Sequence, residues 1–291
     1  MRSPSEPDSG AIAASTQLHM WTPAGLSGVT LFRAEHFQQR FARHTHDEYA
    51  LGVITSGVLG FDYRGAHHLA GRGEINLVVP GEVHTGQPEK GDHWSYRMFY
   101  LAPALVAGTA HQVGRGRGEP FFPAGVLRDE SLAASVIQLH RDLDARVVDA
   151  LEAESRLLAV LTTWMQRHGE KQRCRKIGAH AQTVTRVREF LDDCGNQNPS
   201  LTALAHLVDL SPYQLLRAFM REYGLPPHAW LIQRRVREAR ALIDRGVPVV
   251  DAAASSGFAD QSHLNRHFKR MLGFTPGRYR NFVQEGRVGH H

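Results

Sequence analysis

The sequence predicts two domains of different class: an all-β N-terminal part followed by two helices, then an all-α part carrying two helix-turn-helix units. Three observations lead there. Short apolar stretches separated by glycine-containing breaks recur over residues 18–125. The pattern changes to a helical period over residues 128–168. A helix-break-helix pattern in the last hundred residues is repeated at a constant offset of 49. With 291 residues, 42% of them hydrophobic, the chain can bury two cores.

Composition excludes several classes. No run of eighteen or more apolar residues is present, so no membrane span is expected. The start, MRSPSEPDSGAIAASTQ, lacks the basic-then-apolar order of a secretory leader. Residues 1–17 are expected to be a disordered tail, and the chain to be cytoplasmic. Cys174 and Cys194 are too few for a disulfide framework or a zinc cluster.

The β part is read from TLFRAEHF, YALGVITSG, VLGFDYRG, HHLAG, INLVVPG and SYRMFYL, with a loose Gly/Pro segment after them. Two amphipathic helices follow. The first places Leu132, Val136, Leu139 and Leu143 on one face. The second has a stripe of Leu151, Ser155, Leu158, Leu161 and Met165, flanked by Leu157 and Trp164. These elements bound a first domain at 18–168. GEKQRCRKIGAHAQ, residues 169–182, reads as a linker, and 183–291 as the second domain.

In the second domain SPYQLLRAFMREYG and DQSHLNRHFKRMLG share one layout. Leu215, Ala218 and Phe219 face inward in the first; Leu264, His267, Phe268 and Met271 do so in the second. Tyr213, Arg217 and Arg221 point away in the first, as do Ser262, Arg266, Lys269 and Arg270 in the second. Residues 227–245 read as a long helix between the two units; its 19 residues span roughly 28 Å, close to the roughly 34 Å between successive major-groove faces. Residues 199–291 hold 13 Lys+Arg against 7 Asp+Glu, whereas the rest of the chain is one charge negative. The positive charge sits with the repeated units and favours a polyanion.

Such units insert their second helix in the major groove. Arg217 and Arg266 stand at matching outward positions and suit guanine or a phosphate. Gln261, Ser262 and His263 open the second helix toward bases; Tyr213 and Gln214 hold the corresponding place in the first. Lys269, Arg270 and Arg221 lie further back, where phosphate or solvent is nearer.

The stretch GFADQSHLNRHFKRMLGFTPGRYR resembles the signature of the AraC/XylS family of bacterial transcription regulators. The likeness runs over about residues 183–282: GF before the helix, DQSH at its start, FKR within it, and G-x-TP-x-x-YR after it. It implies a seven-helix DNA-binding domain and a regulator, most often an activator, whose partners are the double-stranded DNA of a promoter operator and RNA polymerase. It carries base contact to Tyr213, Gln214, Arg217, Gln261, Ser262, His263 and Arg266. Leu216 stands where related proteins often have a polar reader.

In the first domain RHTHDEYALGVITSG places His44 and His46 two apart, with Glu48 on the same face of a strand. His84 follows a Pro-Gly turn. Three histidines and a carboxylate are metal-ligand types, so His44, His46, Glu48 and His84 are metal candidates. Residues 30–103 resemble the cupin barrel, specifically the sensor domain of AraC-type regulators. Metal-binding cupins carry a glutamate four or five residues after the second histidine; here Ala50 and Leu51 stand there, and Pro88 replaces the late asparagine. The histidines are therefore read as structural or as facing an effector, with a divalent metal as the alternative and no cofactor assigned. His44, His46, Tyr49, His84, Trp94 and Tyr96 are the expected lining of a small-molecule pocket in the barrel mouth, with 18–168 a cupin-like sensing and dimerisation domain and a homodimer expected. The alternatives are a metal-dependent cupin enzyme joined to a DNA-binding domain, and an effector-independent repressor. No Ser-His-Asp spacing, P-loop or dinucleotide fingerprint is present.

Overall fold

The structure is a computed structural model that describes residues 16–114, 119–170 and 181–288. Residues 1–15 of the expected tail, most of the expected linker and Cys174 lie outside the described residues.

The first domain is an eight-stranded antiparallel sheet in the order β1 (Gln17–Trp21), β2 (Val29–Phe37), β7 (His84–Leu101), β4 (Tyr49–Tyr63), β6 (Ile75–Val78), β8 (Val126–Leu127). β3 (Phe41–His44) pairs with β7, and β5 (Ala66–Ala70) with β4. Two stretches read separately, YALGVITSG and VLGFDYRG, form the single strand β4. The Gly57 break between them is absorbed as an irregularity in the β4–β7 ladder, with φ at 72°. That irregularity has a packing consequence. Before it Tyr49, Leu51 and Val53 face one core and Ala50 the other; after it Leu59, Phe61 and Tyr63 have switched to the core of Ala50. Inserted residues in a ladder shift the two-residue alternation.

One face of the sheet is covered by α1 (Pro103–Gln112), α2 (Glu130–Asp144) and α3 (Ala150–His168). α1 falls in a region read as strand and loose segment; Pro103 at its first turn fits a helix start. Asp129 and Asp149 cap α2 and α3, accepting from Leu132 N and Glu152 N. The predicted face of α2 is buried as expected. The predicted stripe of α3 is buried only toward its end, at Leu161 and Met165; Leu151 is 75% and Leu158 45% exposed. α3 instead turns Ala153, Leu157, Val160 and Trp164 inward, because Trp164 stacks on Phe122 at 4.1 Å and meets Tyr49 edge-on.

The second domain has seven helices: α4 (Ala181–Asp193), α5 (Leu201–His206), α6 (Pro212–Tyr223), α7 (Pro227–Asp244), α8 (Val249–Ser255), α9 (Gln261–Leu272) and α10 (Pro276–Val288). The repeat extends to the caps. Ser211 and Asp260 start α6 and α9; Gly224 (φ 70°) and Gly273 (φ 83°) end them in the left-handed conformation. Buried Leu215 and Phe219 in α6 match buried Leu264 and Phe268 in α9.

The first unit has its own core around Val187, Leu215, Phe219 and Trp230. The second does not. Phe258, Leu264, Phe268, Met271, Phe274 and Phe282 share one continuous core with Phe32, Phe37, Phe61, Trp94, Tyr96 and Met98 of the sheet. No helix among the described residues is long and apolar enough to cross a membrane.

Gly273 sits at that seam. A Cβ there would lie 2.8 Å from a Phe37 ring carbon and 3.0 Å from one of Phe41. Gly65 has a similar φ of 78° but open space around it. Gly65→Ala is expected to cost only the left-handed penalty, about 1–2 kcal/mol. Gly273→Ala should cost more, as a lower urea midpoint; equal midpoints for the two variants would refute the close packing.

Candidate functional site

The outward face of α6 carries Tyr213, Gln214 and Arg217, all exposed; that of α9 carries Gln261, Ser262, Arg266 and Lys269, also exposed, with His263 half-buried. Both faces are therefore open, and neither is covered by the sheet. The local chemistry sorts them. Arg217 lies over the Tyr213 ring at 5.6 Å, a stacking that holds the guanidinium outward. Gln214 is engaged in a capping box: its Oε1 accepts from Ser211 N at 2.9 Å, while Ser211 Oγ accepts from Gln214 N at 3.3 Å. A glutamine reads adenine through its oxygen and nitrogen together, so the cap leaves Gln214 only its amide nitrogen. His263 packs on Phe258 at 5.3 Å and on His267 at 4.8 Å.

The four arginines in QRRVREAR of α7 do not add to this surface. Arg234 and Arg235 donate to the α4–α5 loop, at the Gly195 and Gln197 carbonyls. Arg237 pairs with Asp47 at 3.2 Å and Arg240 with Glu48 at 3.1 Å. Charge counting along the sequence cannot separate such internal cations from those on the recognition faces.

The second site lies where the sheet meets α7 and α9. A cavity of about 80 Å³ is lined by His44, His46, His84, Trp94 and Tyr96, as expected, and also by Asn76, Tyr100, Phe32, Phe41, Arg240, Met271, Leu272 and Phe274. Ring centroids of His44 and His84 are 4.2 Å apart, and those of His46 and His84 4.9 Å. Tyr49 is corrected: it points to the opposite face, against Phe122 and Trp164, with its hydroxyl donating to the Pro120 carbonyl at 3.3 Å. Neighbours on a strand face opposite ways, so Tyr49 and the cavity-lining Ala50 cannot share the site. The same alternation along β7, from Trp94 and Tyr96 to Met98 and Tyr100, was available in the sequence. The wall from α7 and α9 was not, because it is 140 or more residues away in the chain.

Glu48 is corrected as well. Its carboxylate accepts from Arg240, whose Nε donates to the Tyr279 hydroxyl, which in turn donates to Asp244 at 2.6 Å. Burial alone would raise the Glu48 carboxyl, but Arg240 and His46 hold it below its ordinary value. Among the described residues no three His, Cys, Asp or Glu side chains stand where one ion could be held. A larger cleft of about 560 Å³ between residues 20–30 and α7–α10 is more open, and its Arg240, Asp244 and Tyr279 are already bonded to one another.

Burial pushes the three cavity histidines down, His44 to about 4, with His46 adding to it; His84 falls well below its ordinary value and His46 is lowered too. They are neutral at pH 7.

Two exposed, equally capped helices on a domain docked over an enclosed pocket define a ligand-responsive, DNA-binding regulator. Comparison with known proteins agrees. Residues 26–161 match the family model of the AraC-like ligand binding domain, and residues 204–281 that of a helix-turn-helix domain. The HTH-type transcriptional regulator YbfI of Bacillus subtilis is 28% identical, the match covering 81% of this chain and 86% of YbfI. The arabinose operon regulatory protein of Escherichia coli is 24% identical, with coverage of 81% and 82%. The crystal structure of ToxT from Vibrio cholerae has the same two-domain fold at 12% identity, with a TM-score of 0.56 over 88% of this chain and 97% of ToxT. The chain belongs to the AraC family of transcription regulators.

The buried imidazoles make stability depend on pH. Unfolded histidine titrates near 6.5, whereas folded His44 does so near 4. Between those values the unfolded chain binds more protons, so stability is full above about pH 6.5 and falls as pH drops toward 4. Urea midpoints taken from pH 8 to pH 4 should be flat and then decline; a midpoint that rises on acidification would contradict neutral burial.

Proposed function

We propose that the chain is a cytoplasmic, sequence-specific transcription activator that reads a promoter operator with α6 and α9 and responds to a small molecule held in the inner cavity. The observation that carries this is the pair of helices with matching caps, matching buried residues and uncovered polar faces. α7 joins them; its 18 residues span about 27 Å, short of but comparable to one groove repeat. Arg217 and Arg266 make the main base or phosphate contacts, assisted by Tyr213, Gln261, Ser262 and His263, while Lys269 holds the backbone. Gln214 contributes through its amide nitrogen. RNA polymerase is the partner that activation requires.

His44, His46, His84, Trp94 and Tyr96 hold the effector. ToxT has been crystallised with an unsaturated fatty acid bound, which supports a small-molecule role for the corresponding fold here. The present cavity, about 80 Å³, suits a smaller molecule. Its wall includes Met271, Leu272 and Phe274 at the end of α9, so occupancy acts on the second DNA-reading unit. The relatives compared are transcription regulators, which favours a non-enzymatic role. The exposed Leu151 and Leu158, two turns apart on α3, support a homodimer through this helix.

Titration of the purified chain with DNA from upstream of its own and neighbouring genes tests the reading: a preferred site is expected, and salt-sensitive binding equal on every sequence would overturn it. Arg266→Ala should cost about 1–3 kcal/mol on that site and relax one base position; an equal loss on random DNA would make Arg266 a phosphate contact. Leu151→Lys with Leu158→Lys should give a monomer by light scattering and weaken operator binding. An unchanged mass would remove α3 from the interface.

A further inference from the structure

The cavity histidines share a bonding pattern that restricts what they can bind. Nδ1 of His44 lies 2.8 Å from the Ala42 carbonyl, that of His46 2.6 Å from the Glu48 carbonyl, and that of His84 3.0 Å from the Glu82 carbonyl. A carbonyl oxygen only accepts, so each Nδ1 carries the ring proton. In the neutral ring, Nε2 is then a bare lone pair. The three rings stand together on the cavity wall, with centroids 4.2 Å (His44–His84), 4.9 Å (His46–His84) and 6.3 Å (His44–His46) apart. The His84 carbonyl also faces the His44 ring, and Asn76 Oδ1 is buried there without a donor. That part of the cavity wall has acceptors in surplus. Buried acceptors left unpaired are costly, about 1–3 kcal/mol each, so the pocket selects a molecule that supplies O–H or N–H groups.

Other features narrow the class. The rest of the wall is largely apolar, with Phe32, Phe41, Phe61, Trp94, Tyr96 and Phe274 set among Met20, Leu59, Val78 and Met98. Phe32 stands 5.6 Å from Tyr96 and 5.9 Å from Phe274, ring to ring. The cation on the cavity wall, Arg240, is engaged by Glu48 and Tyr279. An anionic ligand would meet histidine lone pairs and the Glu48 carboxylate, which also lines the cavity. Trp94 Nε1, a buried donor without a partner, suits a hydroxyl, which accepts as well as donates. The volume of about 80 Å³ is below the roughly 150 Å³ that holds benzene. A volume of this order restricts the ligand to about one ring and excludes a long chain.

We propose that this cavity binds a single-ring aromatic bearing two or more hydroxyl groups, which donate to Nε2 of His44, His46 and His84 while the ring lies among Phe32, Trp94 and Phe274. The proposal rests on the reading of the cavity as the effector site and names its ligand class. Because Met271 and Leu272 of α9 line the same cavity, hydroxyaromatic binding is coupled to the second DNA-reading unit.

Isothermal titration of the full chain with resorcinol tests it. Resorcinol should bind saturably and at least about ten-fold more tightly than 1,3-dimethoxybenzene, which keeps the ring and loses the donors. His84→Leu should lose about ten-fold in resorcinol affinity and leave the dimethyl ether unaffected. His46→Leu, at a loop position outside the strands, serves the same end if the first variant does not fold. No saturable binding of resorcinol, equal binding of its dimethyl ether, or tighter binding of benzoate, L-arabinose or zinc chloride would each overturn the proposal. Operator titration on the same sample separates the two readings. Resorcinol binding without a preferred operator sinks the regulator; a preferred operator without resorcinol binding sinks only the ligand class.

Discussion

The docking of α7 on the loop between β3 and β4 is the contact on which the rest of the molecule depends. Thr45 donates to Gln233 Oε1 through both its backbone N at 2.9 Å and its hydroxyl at 2.7 Å, at a buried position. Asp47 and Glu48 then pair with Arg237 and Arg240 one and two turns along the same helix face. Gln233, Thr45 and the Arg240–Glu48 pair lose water on packing and are tolerated inside only when partners are supplied, whereas Asp47 stays largely exposed. Here the partners come from residues about 190 positions apart, so the two domains must be registered against each other before either set is satisfied.

That register produces the common core. Once α7 is seated, α9 and the turn after it reach the inner face of the sheet. Gly273 lets the backbone pass against Phe37 and Phe41, and Phe274 inserts beside Phe32. The glycine that ends the second recognition helix is at once a helix stop and a contact that admits no side chain. The glycine that ends the first, Gly224, lies against Val83. The sheet thus touches the rear of both units and leaves their front turns uncovered. The ligand pocket and the DNA-reading surface share α9 without sharing a residue: Met271 and Leu272 line the cavity, while Gln261, Ser262 and Arg266 face outward.

Residues 44–48 have two roles that sequence inspection merges. His44 and His46 turn into the cavity, while Asp47 and Glu48 turn to α7. A histidine-rich stretch ending in carboxylates looks like a ligand set when read along the chain, because spacing shows which side chains can share a face and not what stands opposite that face. Arg240 stands opposite Glu48, and its guanidinium donates to the carboxylate that sequence spacing assigned to the histidines alone. Gln214 shows the same gap on a smaller scale. Its position suits a base contact, yet three residues from Ser211 it also completes a cap, and the cap holds its oxygen.

What the residues determined unaided is whatever short-range periodicity and repetition encode. The change from β to helical pattern, the buried face of α2, the paired Leu215/Phe219 and Leu264/Phe268, and the capped starts and glycine ends of α6 and α9 follow from side-chain period and local backbone preference, which act within a few turns. Only the tertiary structure decided which way α3 turns, that Tyr49 belongs to the opposite core from Trp94 and Tyr96, that the α7 arginines are internal, and that the pocket is closed by the DNA-binding domain. Each of these depends on a contact between distant segments, whose free energy is released only when both surfaces are already formed and is invisible to either stretch alone.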